Sequence, residues 1–488
     1  MQAQLARRSL LTALFAAAPA QSSTLPLPDA AIHLLGRTSF GLTEDSLARV
    51  RAIGADAYID EQLAPELLDD GPVEAVLAGL ETLPLSNAQI MRGYAAGSAE
   101  ARRIPLMQLR SATVLRQLYS RRQLLEVMVE FWSNHFNITH TEGRGRYYKT
   151  SDDRDVIRRH ALGRFGDLLR ASAHSPAMLA YLDNASNVVD GPNENYAREL
   201  MELHTLGVDG GYTEADVKEV ARCFTGWGIR NHEYYFFPSR HDFGAKQVLG
   251  LSLPANRGEE DGLAVLDLLA THASTARFIA RKLLVRFVED APAAALVDSI
   301  ATVFRSSGGD IRATLAAILK SAEFRASVDR KFKRPAEYIA ASLRASGARM
   351  NGEVGLRIVN AALTVQGQEP LSWPAPNGYP DVQGYWLNTA ALLARWNFVL
   401  ALLQRGPNAP LAVDVVALRG TATTPAALVD RLAQRLLHRP LTEQARSLLI
   451  GYAAAGGDAD AALPPRQLDA TSRELGALLL ASPYAQYR

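Results

Sequence analysis

Apolar residues return at steps of three and four along almost the whole of this 488-residue chain, and that period restricts it to a helical fold. Segments 106–119 and 122–136 carry the pattern most strongly. Residues 32–35 read as a helix running into a turn over 36–41. Asp310 is placed to cap a helix with Ile311, Leu315, Ile318 and Leu319 on one face, and Ser274 to cap one passing through Phe278, Leu283 and Phe287. Thr213 and Asp216 have the spacing of a capping box. Residues 426–455 read as two helices broken near Pro440. Aromatic residues 234–237 and the short run at 246–249 depart from the pattern and predict a β-hairpin. Six Pro and Gly residues between Glu369 and Trp386 predict a long loop. The fold expected is mainly α, a multi-helix globular bundle with a small β-hairpin insert around residues 230–250. The division expected is a leader at 1–20, a helical core with the candidate site at 29–330, and a helical C-terminal half at 331–488. The join falls near Arg330 to Pro335, and one continuous domain is the alternative.

The leader reading rests on Arg7-Arg8, the apolar run 10–18 and the small residues Ala18-Pro19-Ala20. The arginine pair suits the twin-arginine route and an ordinary secretory leader alike. Either places the protein in the periplasm or outside the cell. Removing Arg7 and Arg8 from 52 basic residues leaves 50 against 51 acidic ones. That balance gives no basic surplus for nucleic acid. No mature segment reads as a transmembrane span. Cys223 is the single cysteine, so no intramolecular disulfide forms, and its helical setting predicts a small buried hydrophobe.

Three groups carry the polar chemistry. The first is Trp132-Ser133-Asn134-His135-Phe136-Asn137, where His135 shares a helix face with Leu125, Met128 and Trp132. The second is the dense run from Asp190 to His204, preceded by Asp183-Asn184. Asp190 or Asn193 can cap its helix, with Pro192 in the first turn. Glu194, Arg198 and Glu202 stand four apart, the spacing of an ion-pair ladder. On a regular helix, Glu199 borders the face of Tyr196, Leu200, Leu203 and His204, while Arg198 and Glu202 point away. His204 and Glu202 therefore cannot share one metal from that helix, and a divalent metal would need ligands from other segments. The third is His241-Asp242 in the non-helical insert. Loop aromatics Trp373, Tyr379, Tyr385 and Trp386 suit stacking on sugar rings or packing of the loop onto its domain. No P-loop, dinucleotide fingerprint, paired-cysteine metal site or nucleophile elbow is present.

The same stretches resemble the bacterial exported family known as domain of unknown function 1800. The resemblance runs through residues 37–41, 131–136 and 182–184, and most specifically through the long run 192–207. It continues at 211–213, 224–227, 241–242 and 386–389. It implies an exported helical protein whose genomic neighbour is similar to sulfatases and alkaline phosphatases, and it supplies no catalytic residue.

These readings lead to an expected hydrolase acting on a hydroxyl-rich envelope or extracellular polymer. His135, Glu199, His204 and His241 would serve as acid–base groups or metal ligands. Asn184, Asn195, Arg198 and Asp242 would hold substrate. The alternative is a non-catalytic scaffold or binding subunit for an exported sulfatase- or phosphatase-like partner. Both rest on distant helices bringing these side chains to one hollow.

Overall fold

The computed structural model describes residues 25–139 and 145–488; the leader assigned to 1–20 lies outside them. Among the described residues helices predominate, as their period predicts, joined by short turns and by three small two-stranded antiparallel sheets. The two strongest apolar segments form helices Ile104–Tyr119 and Gln123–His135. Asp310 caps Ile311–Leu319, accepting from the Ala313 amide at 2.8 Å. Thr213 and Asp216 close the expected capping box on Glu214–Cys223, and Cys223 is buried. Helices Pro425–Leu437 and Glu443–Ala454 flank the break at Pro440.

The hairpin insert is present as two hairpins rather than one. Trp227–Arg230 pairs with Glu233–Phe236, and Lys246–Val248 with Leu251–Leu253. Each turn has two residues, Asn231-His232 and Leu249-Gly250, all at positive φ. That geometry matches the right-handed twist of the flanking strands.

Three local expectations fail for physical reasons. Helix Ala30–Thr38 runs through Gly36, and the turn begins only at Ser39. The cap of Ala273–Phe287 is His272, whose Nδ1 accepts from the Ser274 amide at 3.1 Å; Ser274 donates its hydroxyl to the Gly210 carbonyl instead. The helix opened by Asn195–Glu199 does not stay regular. It widens over Leu200–Thr205, where the Leu206 amide reaches back five residues to the Met201 carbonyl at 2.8 Å. Pro192 lies outside this helix, though Asn193 Oδ1 does accept from the Asn195 amide at 2.9 Å.

One apolar cluster extends from Leu25 to Ala485. The stretch around residues 330–335 is not exposed: Lys331 and Arg334 are 1% and 2% accessible. Its Phe332 bridges to Tyr487. Arg37, also fully buried, donates to the carbonyls of Phe287 and Val288 at 2.8 Å each, and so satisfies orphan acceptors at the end of the 273–287 helix.

Inside this core lies a charge network. Glu337 accepts from Arg286 and, at 3.1 Å, from Arg334, and it forms an ion pair with Arg488 at 2.9 Å. Asp381 sits 3.3 Å from Lys331, 3.6 Å from Arg286 and 3.8 Å from Arg334. Burial pushes the Glu337 carboxyl upward, but Arg286, Arg488 and Arg334 together hold it well below the ordinary range. A carboxyl depressed in this way stabilises the fold above its unfolded value, about 4.3, and the benefit is lost as pH falls further. Glu337→Gln should therefore cost about 3–5 kcal/mol at pH 7 by urea denaturation. Its stability should also decline less steeply than that of the unaltered protein between pH 5 and pH 3.

Candidate functional site

The 273–287 helix presents Phe278, Lys282 and Arg286 at steps of four, hence on one face. The 123–135 helix ends against that face with Phe131 and His135. The loop around residues 377–381 covers the opposite side. Between them is a cavity of about 250 Å³ whose polar wall includes His135, Lys282, Arg334, Asn377, Tyr379 and Asp381.

The motif at residues 132–137 holds the loop there. Asn137 donates to the carbonyls of Trp373 and Ala375 at 3.0 and 2.6 Å. Asn134 Oδ1 accepts from the Tyr379 amide at 3.2 Å. Gly378, with φ of 70°, lies so close to Asn134 that a Cβ would fall 2.1 Å from its carbonyl oxygen. The loop aromatics pack on one another, with Trp373 5.0 Å from Tyr379 and Tyr385 4.8 Å from Trp386 between ring centres. Trp373 Nε1 donates to Asn377 Oδ1 at 2.8 Å, which leaves the Asn377 Nδ2 hydrogens as donors on the cavity wall.

His135 is 1% accessible and held in one tautomer. Its Nε2 lies 3.0 Å from the His204 carbonyl, which can only accept, so Nε2 carries the hydrogen. The lone pair is therefore on Nδ1, 2.9 Å from Lys282 Nζ. Burial, then Lys282 and His204, hold the imidazole neutral, far below its usual titration range. Lys282 is half-buried. Burial lowers its ammonium to about 8, with Asp381 opposing the shift.

The chain has seven lysines. Four of the six besides Lys282 are paired with acids, while the exposed Lys218 has no carboxylate within 4 Å among the described residues and the half-buried Lys333 donates to the Ala485 carbonyl at 2.7 Å. Lys149, Lys246, Lys320 and Lys331 each sit within 4 Å of a carboxylate. Among the described residues no carboxylate comes that close to Lys282; its hydrogen-bond partner is the imidazole.

Of the eight residues selected from the sequence, only His135 lines this cavity. His204 lies behind it, 6.1 Å away between ring centres. It is 1% accessible, with Nε2 unpartnered, and burial and then Lys282 lower it to about 3. His241 belongs to a separate sealed network. Its Nδ1 donates to the Thr225 carbonyl at 2.7 Å, and Nε2 faces Asp261 at 3.5 Å. Thr225, His241 and Asp261 resemble a catalytic line, but all three are at most 3% accessible. Asp242 pairs with Arg222 at 2.7 Å, which lowers its carboxyl.

Asn184 is buried in a structural chain, donating to the Phe224 carbonyl at 3.4 Å and accepting from Asn187 at 3.1 Å. Asn195 is exposed. Arg198 pairs with Glu194 at 3.1 Å, but its second partner is Glu214 at 2.7 Å rather than Glu202. Glu199 is half-buried, its carboxyl raised by burial and by Glu202. Among the described residues no three of His, Cys, Asp and Glu stand where they could hold one metal ion. No single helix among them is long and apolar enough to cross a membrane.

Sequence reasoning missed Lys282, Arg334, Asn377 and Asp381. The signal available was a lysine four residues from Phe278 on a face otherwise destined for the core, in a chain with few lysines. If Gly378 is the pin of the loop, Gly378→Ala should lose about 1–3 kcal/mol in thermal denaturation. Gly384→Ala, where an added Cβ meets nothing within 4 Å, should stay within about 0.5 kcal/mol.

The family model described as "Protein of unknown function (DUF1800)" matches residues 33–487. No curated protein matches the chain, and no solved structure does. With the match spanning nearly every described element, from the 30–38 helix to the pairing of Phe332 with Tyr487, the chain belongs to the DUF1800 family.

Proposed function

We propose that the cavity beneath the 369–386 loop is the working site of an exported hydrolase that acts on a hydroxyl-rich envelope or extracellular polymer. The observation that carries this reading is Lys282, an amine with no carboxylate partner among the described residues, facing open space and a neutral imidazole. A group titrating at about 8 is poised to take a proton from water and return it to a leaving oxygen near neutral pH. His135 is a positioning residue: its locked tautomer accepts from Nζ and fixes the amine at the wall. Tyr379 and Asn377 offer polar groups for substrate hydroxyls, and the exposed Tyr385 offers a ring face at the loop surface.

Export is part of the proposal. It is supported by the arginine pair, the apolar run, the small residues before position 21 and the lone cysteine.

The charged and titratable groups around Lys282 are His135 and His204 on one side, Asp381 and Arg334 across the cavity, and Arg281 beside it on its own helix. Asp381 is held ionised and both imidazoles neutral through the working range, so Lys282 sets the pH response. With the free amine as base, kcat/KM should rise about tenfold per pH unit below 8 and level off above it. Purified protein should release soluble products from isolated envelope polysaccharide. Lys282→Met should lose at least 100-fold in kcat/KM while melting within a few degrees of the parent. His135→Gln should mainly lower kcat and displace the pH profile. Full activity in Lys282→Met would sink the assignment. No turnover, together with co-purification of a sulfatase- or phosphatase-like protein, would favour the scaffold reading instead.

A further inference from the structure

The same cavity speaks to which bond is broken, an inference that rests on the hydrolase reading above. Cleavage of a glycosidic bond ordinarily needs two carboxyl groups about 5–9.5 Å apart, one of them protonated. The cavity wall supplies one carboxylate, Asp381, and Arg334, Lys331 and Arg286 outweigh its burial and keep it ionised. It cannot serve as the acid. What the wall does supply is an amine–imidazole pair, an apolar patch of Phe131, Phe278 and Val285, and hydrogen-bond donors from Asn377 Nδ2 and the exposed Arg281. The patch fits a short acyl chain, and the donors suit the oxygen of a tetrahedral intermediate.

We infer that the scissile bond is an ester, an O-acyl substituent on a hydroxyl-rich polymer, with Lys282 as the acid–base group. In the first step water adds to the acyl carbon, its proton passes to the Lys282 amine, and the carbonyl oxygen becomes an oxyanion. In the second step the oxyanion re-forms the carbonyl, the C–O bond to the polymer breaks, and the Lys282 ammonium returns its proton to the departing oxygen. A polymer hydroxyl and a carboxylic acid result, and Lys282 is an amine again.

Lys282 is also a nucleophile by nature, and its Nζ lies 2.9 Å from His135 Nδ1. The test must therefore separate turnover from trapping. The purified protein is incubated with acetylated xylan, and free acetate, new reducing ends and acetylation of Lys282 are measured together. The expected result is catalytic release of acetate with polymer length unchanged, reduced at least 100-fold in Lys282→Met. Reducing ends without acetate would overturn the ester assignment and leave the hydrolase reading standing. Neither product from acetylated or native polymer would remove both. A single acetyl group retained on Lys282 without turnover would overturn the mechanism. The product partition is read on the unaltered protein, so the answer does not depend on the variant folding.

Discussion

A carboxylate carried from water into a protein interior costs several kcal/mol unless cations meet it there. Glu337 is met by three guanidinium groups drawn from residues 286, 334 and 488, and Asp381 is held by two of those and Lys331. These partners come from the 273–287 helix, the buried 330–335 stretch, the 335–345 helix, the covering loop and the last residues of the chain. Arg334 and Lys331 also reach Glu130 and Asp290, at 2.7 and 2.5 Å, so the buried charges are met from several segments at once. The network therefore fixes how the loop sits over the helix, and that placement creates the cavity. Arg286 joins the network four residues after Lys282 on the same face, so the helix that is locked in place also presents the amine that meets the imidazole of His135.

Elements set by local chemistry were legible in the sequence. The capping box at Thr213, the cap at Asp310, the break at Pro440 and the burial of Cys223 each depend on residues within a turn or two. Ser274 shows the limit of that approach. A serine at a helix start is a good cap until a nearby carbonyl, here that of Gly210, takes its hydroxyl and a histidine takes its place. The site was less legible because its parts are remote: Lys282 meets His135 across 147 residues, and Asp381 arrives on a loop. A lysine in a helix ordinarily reads as a solvated face, and nothing local marks one that is turned inward.

The dense polar run at residues 190–204 was informative in a different way from the one its side chains suggested. Adjacent in sequence, they diverge in space: Arg198 turns to Glu194 and Glu214 at the surface, Asn195 is exposed, and His204 is sealed. The run reaches the cavity through its backbone. The helix ends at Thr205, and its last carbonyls have no amide above them. That of His204 is taken by His135 Nε2, which decides where the imidazole lone pair lies.

Three residues after His204, Gly207 adopts φ of 83° as the helix terminates, and a Cβ there would come within 2.9 Å of the Phe278 ring. Its missing side chain lets Phe278 pack against the helix end, and Phe278 forms the apolar wall one turn before Lys282. A side chain at Gly207 would move the wall itself. In this run polar density marks a backbone that is held in place, through the His204 carbonyl. The amine that faces open space here is supported by two carbonyl-and-glycine contacts that no count of polar residues would find.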